Sequence, residues 1–216
     1  MKQIAIFGVG GFGREVMPFA RVQWGAMSEN YNLVFVDDSP PSAEVNGHLV
    51  LTYEQWLEQP ASSRHINIAI ANSAVRQKLA HRCAADGVKF FQVCASNVIL
   101  QDDLELGEGA ILCSFVTLTC NVSIGKHFHA NFYSYVAHDC VIGDYVTFGP
   151  GVRCNGNVLV EDHAYIGSGA IIKQGKPGNP LVIGRGAVVG MGAVVTKSIP
   201  PGVTVVGNPA RPLITD

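Results

Sequence analysis

Charged side chains are scarce in this sequence. Asp, Glu, Lys and Arg make up 15% of the 216 residues, against about 25% in an average globular protein. Hydrophobic residues make up 48%, and the formal net charge is only −2. This balance excludes a disordered, highly charged chain. It also argues against a surface built to bind nucleic acid or an anionic membrane.

Long apolar runs and paired cysteines are missing as well. No apolar run approaches the roughly 18 residues that a membrane-spanning helix needs, and the first residues lack the basic stretch and cleavage site of a secretory leader. The six cysteines show no C-x-x-C spacing, so we expect reduced thiols and no zinc ligands. These absences predict a soluble, cytoplasmic protein with no membrane insertion and no metal.

Glycine is the residue in excess, and its distribution is uneven. Seven of the 24 glycines lie in residues 1–95 and 17 lie in residues 96–216. The first part alternates apolar strand-like runs with helical stretches, which is typical of a small parallel α/β sheet. The second part shows no helical spacing. We therefore predict two domains, a Rossmann-like domain over 1–95 and an all-β domain over 96–216.

A six-residue repeat fills the second part from Val98 onward. A period of six matches neither a helix nor a simple alternating strand. It predicts short strands joined by tight corners, where we expect glycine to take backbone angles that a side chain would forbid. Three units close one coil, so residues 18 apart stack in a parallel β-helix of about five coils with long flat walls. The third position is apolar in thirteen consecutive units: Leu100, Leu106, Leu112, Leu118, Ile124, Ala130, Val136, Ile142, Phe148, Cys154, Val160, Ile166 and Ile172.

The repeat is interrupted once. An insertion at about residues 173–180 precedes three further units in the same phase. Its two lysines could reach coenzyme phosphates or cap a subunit contact, and a solvated loop is an equally good interpretation.

A glycine motif lies at the start of the chain. Residues 8–13 read G-V-G-G-F-G between an apolar strand and a helix expected from about Arg14. In this context backbone N–H groups at the helix start can bind a phosphate. A complete dinucleotide site needs two such halves, so a phosphate or a single nucleotide is expected rather than NAD. A purely structural glycine turn remains an alternative. The candidate substrate-binding residues are Gly8, Gly10, Gly11, Phe12, Gly13 and, after the second strand, Asp37 and Asp38.

Polar residues interrupt the repeat in one segment, FHANFYSYVAHDC, at residues 128–140. With this segment the chain resembles the sugar acyltransferases of the hexapeptide-repeat superfamily, in the branch of the NeuD- and PglD-type enzymes. The resemblance covers nearly the whole chain, and the string H-D-C-V-I-G at 138–143 is its most specific part. The other matching segments are the glycine motif, the D-D pair, residues 72–76, the block from Asn131 to Gly143, and the closing G-N-P-A-R at 207–211.

The resemblance implies a homotrimer of left-handed β-helices. It also implies that acetyl-CoA binds between neighbouring subunits and that a nucleotide-linked amino sugar binds against the front domain. By the same resemblance, Asn131 touches the sugar. The family often has histidine where this chain has Thr147, so only backbone contacts are expected there. The coenzyme-contact positions fall at Thr147, Gly156, Ser168 and Met191.

The register of the repeat supports a catalytic site independently of the resemblance. His138 is the fifth residue of its unit, at a corner, with Gly156 expected directly above it and Cys120 directly below. His138 can accept the proton of an attacking nitrogen, and Asp139 can hold the imidazole tautomer. The Gly156 N–H can face the thioester oxygen as negative charge develops there.

The resemblance therefore implies an acetyl-CoA-dependent N-acetyltransferase acting by direct transfer on a nucleotide-linked 4-amino-4,6-dideoxy sugar for surface glycans. An O-acetyltransferase acting on a sialic acid or a related sugar hydroxyl is the alternative enzyme. A trimeric scaffold with a dead site is the non-enzyme alternative. A zinc-dependent carbonic anhydrase is a weaker idea, raised by His127, His129 and His163. The sequence leaves open whether the nucleotide is UDP, dTDP or GDP.

Overall fold

The computed structural model describes residues 1–27 and 30–213, which form two compact units, Met1–Ser96 and Asn97–Asp216. We call them the front unit and the β-helix unit. The last three residues of the second predicted domain, 214–216, lie outside the described residues.

The front unit is a six-stranded sheet with helices between its strands. Its strand order is β3-β4-β2-β1-β5-β6, and all described pairs are parallel except β3 with β4. Its elements are β1 (Lys2–Phe7), α1 (Gly11–Met27), β2 (Tyr31–Val36), β3 (Glu44–Val45), β4 (His48–Leu51), α2 (Tyr53–Glu58), β5 (Ser63–Ile68), α3 (Ser73–Ala85), β6 (Lys89–Phe90) and β7 (Val93–Cys94).

The local sequence explains these elements. The apolar centre of β1 is fully buried, as expected for a parallel strand covered on both faces. The side chain of Asn72 accepts a hydrogen bond from the Val75 N–H at 3.1 Å and caps α3. The predicted start of α1 at about Arg14 is wrong. The helix begins at Gly11, inside the glycine motif, because the Arg14 N–H already donates to the Gly10 carbonyl at 3.1 Å.

The β-helix unit consists of short strands stacked into three parallel sheets, which we call walls. The first wall holds β9, β12, β15, β18 and β21, the second holds β10, β13, β16, β19, β22 and β24, and the third holds β8, β11, β14, β17, β20 and β23. The strands are β8 (Ile99–Leu100), β9 (Leu104–Leu106), β10 (Ile111–Leu112), β11 (Thr117–Leu118), β12 (Val122–Ile124), β13 (His129–Ala130), β14 (Tyr135–Val136), β15 (Val141–Ile142), β16 (Thr147–Phe148), β17 (Arg153–Cys154), β18 (Val158–Val160), β19 (Tyr165–Ile166), β20 (Ile171–Ile172), β21 (Leu181–Ile183), β22 (Val188–Val189), β23 (Val194–Val195), β24 (Thr204–Val206) and an antiparallel β25 (Arg211–Pro212).

The register between coils is 18 residues. Ile124 pairs with Ile142 and Ile142 with Val160, so the apolar third positions lie over one another. The insertion folds into a short turn in which Lys176 and Asn179 exchange backbone hydrogen bonds. The walls then continue in phase, with Ile183 paired to Val160.

The third-position side chains fill the inside of the prism from Leu112 onward. In the first two strands of the unit, by contrast, Leu100 is 50% exposed and Leu106 is partly exposed. These residues begin the stack, so no earlier coil packs beneath them.

The predicted role of the repeated glycines at the corners is wrong. The fourth-position glycines, such as Gly125 and Gly143, do not have positive φ angles. They are needed because a methyl group there would lie within 2.7 Å of the backbone of the next coil. The left-handed φ angles occur two residues later, at the sixth position, and non-glycine residues hold many of them.

The sixth positions form three columns, one along each edge of the prism. The Asn/Asp corner joins the third wall to the first, the aromatic corner joins the first to the second, and the glycine corner joins the second to the third. The Asn/Asp corner consists of Asp103, Asn121, Asp139 and Asn157. The aromatic corner consists of Gly109, His127, Tyr145, His163 and Gly186. The glycine corner consists of Phe115, Tyr133, Gly151, Gly169 and Gly192.

Candidate active site

His138 and Asp139 form a hydrogen-bonded pair at the Asn/Asp corner. The His138 Nδ1 lies 2.7 Å from the Asp139 Oδ2, and both side chains are a little under half exposed. The bonds from His138 and then from Asn121 hold the pKa of the Asp139 carboxyl below its usual value. Asp139 is therefore ionised at neutral pH, and the Nδ1 atom must carry the proton in this bond. That tautomer leaves Nε2 of His138 as a proton acceptor.

Gly156 lies one coil above His138. A methyl group on Gly156 would lie 2.5 Å from both Cε1 and Nε2 of the imidazole, so only glycine leaves room for the ring. Gly156 is buried, and among the described residues its N–H has no backbone acceptor. On the other side, the Asp139 N–H donates to the Cys120 carbonyl at 3.2 Å, which places Cys120 one coil below. A proton acceptor and an amide donor thus meet at one corner.

The cysteine of the H-D-C string has a different environment. Cys140 is buried, and its thiol donates to the Asn155 carbonyl at 3.2 Å. It points into the prism and away from the half-exposed pair, so it packs the corner from inside.

Asn121 was missed by the sequence reasoning. Its Nδ2 donates to the Asp139 Oδ1 at 3.1 Å from one coil below. The 18-residue register, applied to Asp139 as it was to His138, could have found it.

The other predicted contact residues do not lie beside His138 within one chain. Thr147 is on β16 in the second wall, which does not border the Asn/Asp corner, and it is only 5% exposed. Ser168 and Met191 lie on successive coils next to the glycine corner, where Met191 is 82% exposed. Asn131 is also next to that corner, with its Nδ2 bonded to the Phe148 carbonyl at 2.8 Å. The predicted site is therefore divided between two corners of the prism.

The glycine motif of the front unit forms a tight loop between β1 and α1. Gly8 has a φ of 106°, and a side chain on Gly13 would collide with the Gly8 carbonyl. These two glycines are structural. By contrast, a methyl group on Gly10 or Gly11 would meet nothing within 4 Å. Their amides begin α1, and the neighbouring Phe12 is partly exposed, so this end of the helix can bind an anion.

The two aspartates after β2 have different partners. Asp37 accepts from the Val9 N–H at 3.2 Å and the Ser39 N–H at 3.0 Å, so its carboxylate holds the loop in place. Asp38 forms an ion pair with Arg82 at 2.9 Å. Arg82 also bonds to Glu54. Sequence reasoning missed Arg82 and Glu54, because both lie far from Asp38 along the chain.

The described residues 1–27 and 30–213 lack two further features. No helix there is long and apolar enough to cross a membrane. No group of three or more His, Cys, Asp and Glu side chains is arranged there to hold a metal ion.

Known proteins match both units. A family model described as the PglD N-terminal domain matches residues 3–83, and one described as bacterial transferase hexapeptide (six repeats) matches residues 121–156. A GDP-perosamine N-acetyltransferase of Escherichia coli O157:H7 is 50% identical over 212 residues, which are 98% of this chain and 96% of the relative.

Solved structures match over the same length. WeeI from Acinetobacter baumannii AYE is 56% identical with a TM-score of 0.95, over 99% of this chain and 100% of that one. The acetyltransferase domain of PglB from Neisseria gonorrhoeae FA1090, in complex with acetyl coenzyme A, is 28% identical with a TM-score of 0.87, over 98% and 99%.

The fold and these matches define an acyltransferase built on hexapeptide repeats. The chain belongs to the sugar acyltransferase family of the NeuD and PglD type. The predicted fold class, a small Rossmann-like α/β domain followed by a left-handed parallel β-helix, is confirmed. Family membership favours a sugar acyltransferase over a carbonic anhydrase or a scaffold.

Proposed function

We propose that this protein transfers the acetyl group of acetyl-CoA to the 4-amino group of a GDP-linked 4-amino-4,6-dideoxyhexose of the perosamine class. The observation that carries the proposal is the 50% identity, over nearly the full length of both chains, with a GDP-perosamine N-acetyltransferase. The related structure that holds acetyl coenzyme A supports the donor. The acetylated sugar nucleotide would then serve surface-glycan synthesis.

The proposed chemistry uses three groups of the Asn/Asp corner. The sugar amine attacks the thioester carbonyl carbon, and a C–N bond forms while His138 Nε2 accepts a proton from the nitrogen. The Gly156 N–H donates to the carbonyl oxygen as it becomes negative. The C–S bond then breaks, and the proton passes to the departing thiolate. Asp139 fixes the ring and stabilises the imidazolium.

The division of the site between two corners supports a homotrimer. Ser168, Met191 and Asn131 lie away from His138 within one chain. They can join His138 only if the glycine corner of a neighbouring copy approaches the Asn/Asp corner of the first. We therefore assign one acetyl-CoA site to each interface between two subunits.

The front unit offers a place for the nucleotide. The exposed amides at Gly10 and Gly11 can bind the diphosphate. Guanine presents two adjacent donors, N1–H and N2–H, beside the O6 acceptor. The Asp38 carboxylate suits the two donors, and Arg82 can donate to O6. Uracil and thymine present one donor between two carbonyl oxygens, which suits a carboxylate less well.

The test is a donor-and-acceptor panel. Purified protein is mixed with acetyl-CoA and with GDP-, UDP- or dTDP-linked 4-amino-4,6-dideoxyhexose, and thiol release and product mass are followed. We expect the GDP sugar to react fastest and the product to resist hydroxylamine, which cleaves esters but not amides. Turnover only with a matched 4-hydroxy sugar would overturn the proposal, as would no turnover with any amino sugar.

Base recognition is tested separately with Asp38→Asn. We expect the preference for GDP over UDP sugars to fall by about tenfold, because a hydrogen bond from a base donor to a charged carboxylate is worth about 1–2 kcal/mol in discrimination. The exposed carboxylate Glu44 supplies the control, and Glu44→Gln should keep the preference. An unchanged preference in Asp38→Asn would contradict the assigned base contact.

A further inference from the structure

The two oxygens of the Asp139 carboxylate have separate partners. Oδ2 meets the His138 Nδ1 at 2.7 Å, and Oδ1 accepts from the Asn121 Nδ2 at 3.1 Å. Asn121 lies 18 residues earlier in the same column, with a φ of 56° against 58° for Asp139. The stacked corners thus bring an amide donor to the carboxylate from one coil below.

We propose that Asn121 is a positioning residue for acetyl transfer, which fixes the Asp139 carboxylate so that it holds His138 in the Nδ1–H tautomer. The proposal rests on the proposed function, in which Nε2 of His138 accepts the proton. Asn121 bonds to Asp139 and acts on His138 only through that carboxylate.

The need for such an anchor follows from exposure. The Asp139 side chain is 46% exposed and turns about two single bonds. A carboxylate held by one bond alone can rotate and exchange that bond for water. A second bond to Oδ1 fixes the plane of the carboxylate and therefore the direction in which Oδ2 meets the ring.

The residue type at position 121 also matters. An amide can donate to Asp139 without adding charge, whereas a carboxylate there would repel it. Asp103 and Glu105 line the same surface as Asn121, so the carboxylates already present there make a neutral donor preferable, and no described Lys or Arg forms an ion pair with Asp139. Besides His138, Asn121 is the one described side-chain donor bonded to the carboxylate.

A purely structural explanation exists and can be separated from the proposal. Asparagine tolerates the left-handed backbone region, so Asn121 could be present only to form the corner. Glycine adopts that conformation at least as easily. Asn121→Gly therefore keeps the corner and removes only the donor. Asp103→Gly is the matched control, because Asp103 lies one coil lower in the same column with a φ of 54°.

The first measurement is steady-state kinetics. We expect Asn121→Gly to lower kcat about 3- to 10-fold, which corresponds to about 0.7–1.4 kcal/mol and is the usual range for one hydrogen bond. KM for both substrates should stay unchanged, and Asp103→Gly should match the wild type. In an Asp139→Asn background, which keeps the left-handed corner, Asn121→Gly should lower kcat by less than about a further twofold.

The second measurement needs no substrate. The ¹⁵N chemical shifts of the His138 ring report the tautomer, and we expect Asn121→Gly to increase the Nε2–H population while Asp103→Gly does not. Unchanged kcat and tautomer in Asn121→Gly would overturn the proposal, as would an equal loss of kcat in the Asp139→Asn background. If the wild type acetylates none of the amino sugars, the proposed function fails, yet the tautomer measurement still decides the role of Asn121.

Discussion

Two corners of the β-helix have the same backbone geometry and different chemistry. At the aromatic corner, His127 and His163 stack on opposite faces of Tyr145 with ring centroids 5.2 Å apart and planes within 9° of parallel. His127 is only 2% exposed. At the Asn/Asp corner, the side chain of His138 is 45% exposed and bonded to Asp139. Both corners use the same 18-residue register and the same left-handed sixth position.

The difference between these histidines is an offset of one residue. His127 and His163 occupy the sixth position of their units, where side chains of successive coils lie face to face. His138 occupies the fifth position, and the residue above it is Gly156, which has no side chain. The ring therefore lies against a backbone amide and not against another ring. What a corner histidine can do therefore depends on the residue that lies one coil above it, 18 positions further along the chain.

The largest expected effect tests that offset directly. His138→Ala should lower kcat by about 10²- to 10⁴-fold, the usual contribution of a general base. His163→Asn should keep kcat within about twofold of the wild-type value, because asparagine tolerates the left-handed backbone of this corner. Thiol release measures both, and size-exclusion chromatography checks that assembly is intact. Near-normal turnover in His138→Ala would end the assignment of the base.

The second prediction concerns the aromatic corner. Tyr145→Asn removes a buried ring from the middle of the stack and should lower the free energy of unfolding by about 2–4 kcal/mol. His163→Asn removes one stacking pair and should cost about 1 kcal/mol. Denaturant unfolding at a fixed protomer concentration measures both. Activity of the folded Tyr145→Asn protein should remain within about twofold. A loss of kcat without a loss of stability would contradict the separation of roles.

The repeat made most of the β-helix predictable, because it depends only on spacing along the chain. The apolar third positions and the stacking of Cys120, His138 and Gly156 follow from a period of six and a coil of eighteen. The role of the repeated glycines was misjudged, since close approach between coils at Gly125 and left-handed φ at the sixth position look alike in sequence.

Contacts between side chains that are far apart in the sequence could not be predicted in the front unit. The ion pair between Arg82 and Asp38 joins residues 44 positions apart in a unit without a repeat. No periodic rule brings α3 and the end of β2 together, so the sequence could name Asp38 but not its partner. The division of the predicted coenzyme positions between two corners, by contrast, could have been derived from the repeat, because it depends only on which of the three units of a coil each residue occupies.

The third prediction tests the space above His138. Gly156→Ala should lower kcat about 10- to 100-fold, because its methyl group would lie 2.5 Å from the imidazole and force the ring away from its place. KM should change less than kcat. Gly25→Ala, in α1 of the front unit, provides the control, because its methyl group would lie 3.4 Å from the Tyr31 hydroxyl, an ordinary van der Waals distance. If Gly156→Ala keeps full activity, the His138 imidazole does not act as the base from this position.

The smallest expected effect lies farther up the Asn/Asp corner, where the insertion begins. Lys173, Lys176 and Lys197 line one shallow cavity there, and all three are exposed. If the phosphates of acetyl-CoA reach this cavity, Lys176→Gln should raise KM for acetyl-CoA about 2- to 5-fold at low salt, since an exposed charge pair is worth at most about 1 kcal/mol. The increase should shrink at high ionic strength. Lys78→Gln on α3 is the matched control. An unchanged KM would instead identify the insertion as a solvated loop. The Asn/Asp corner would then differ from the aromatic corner only in the coil that carries His138.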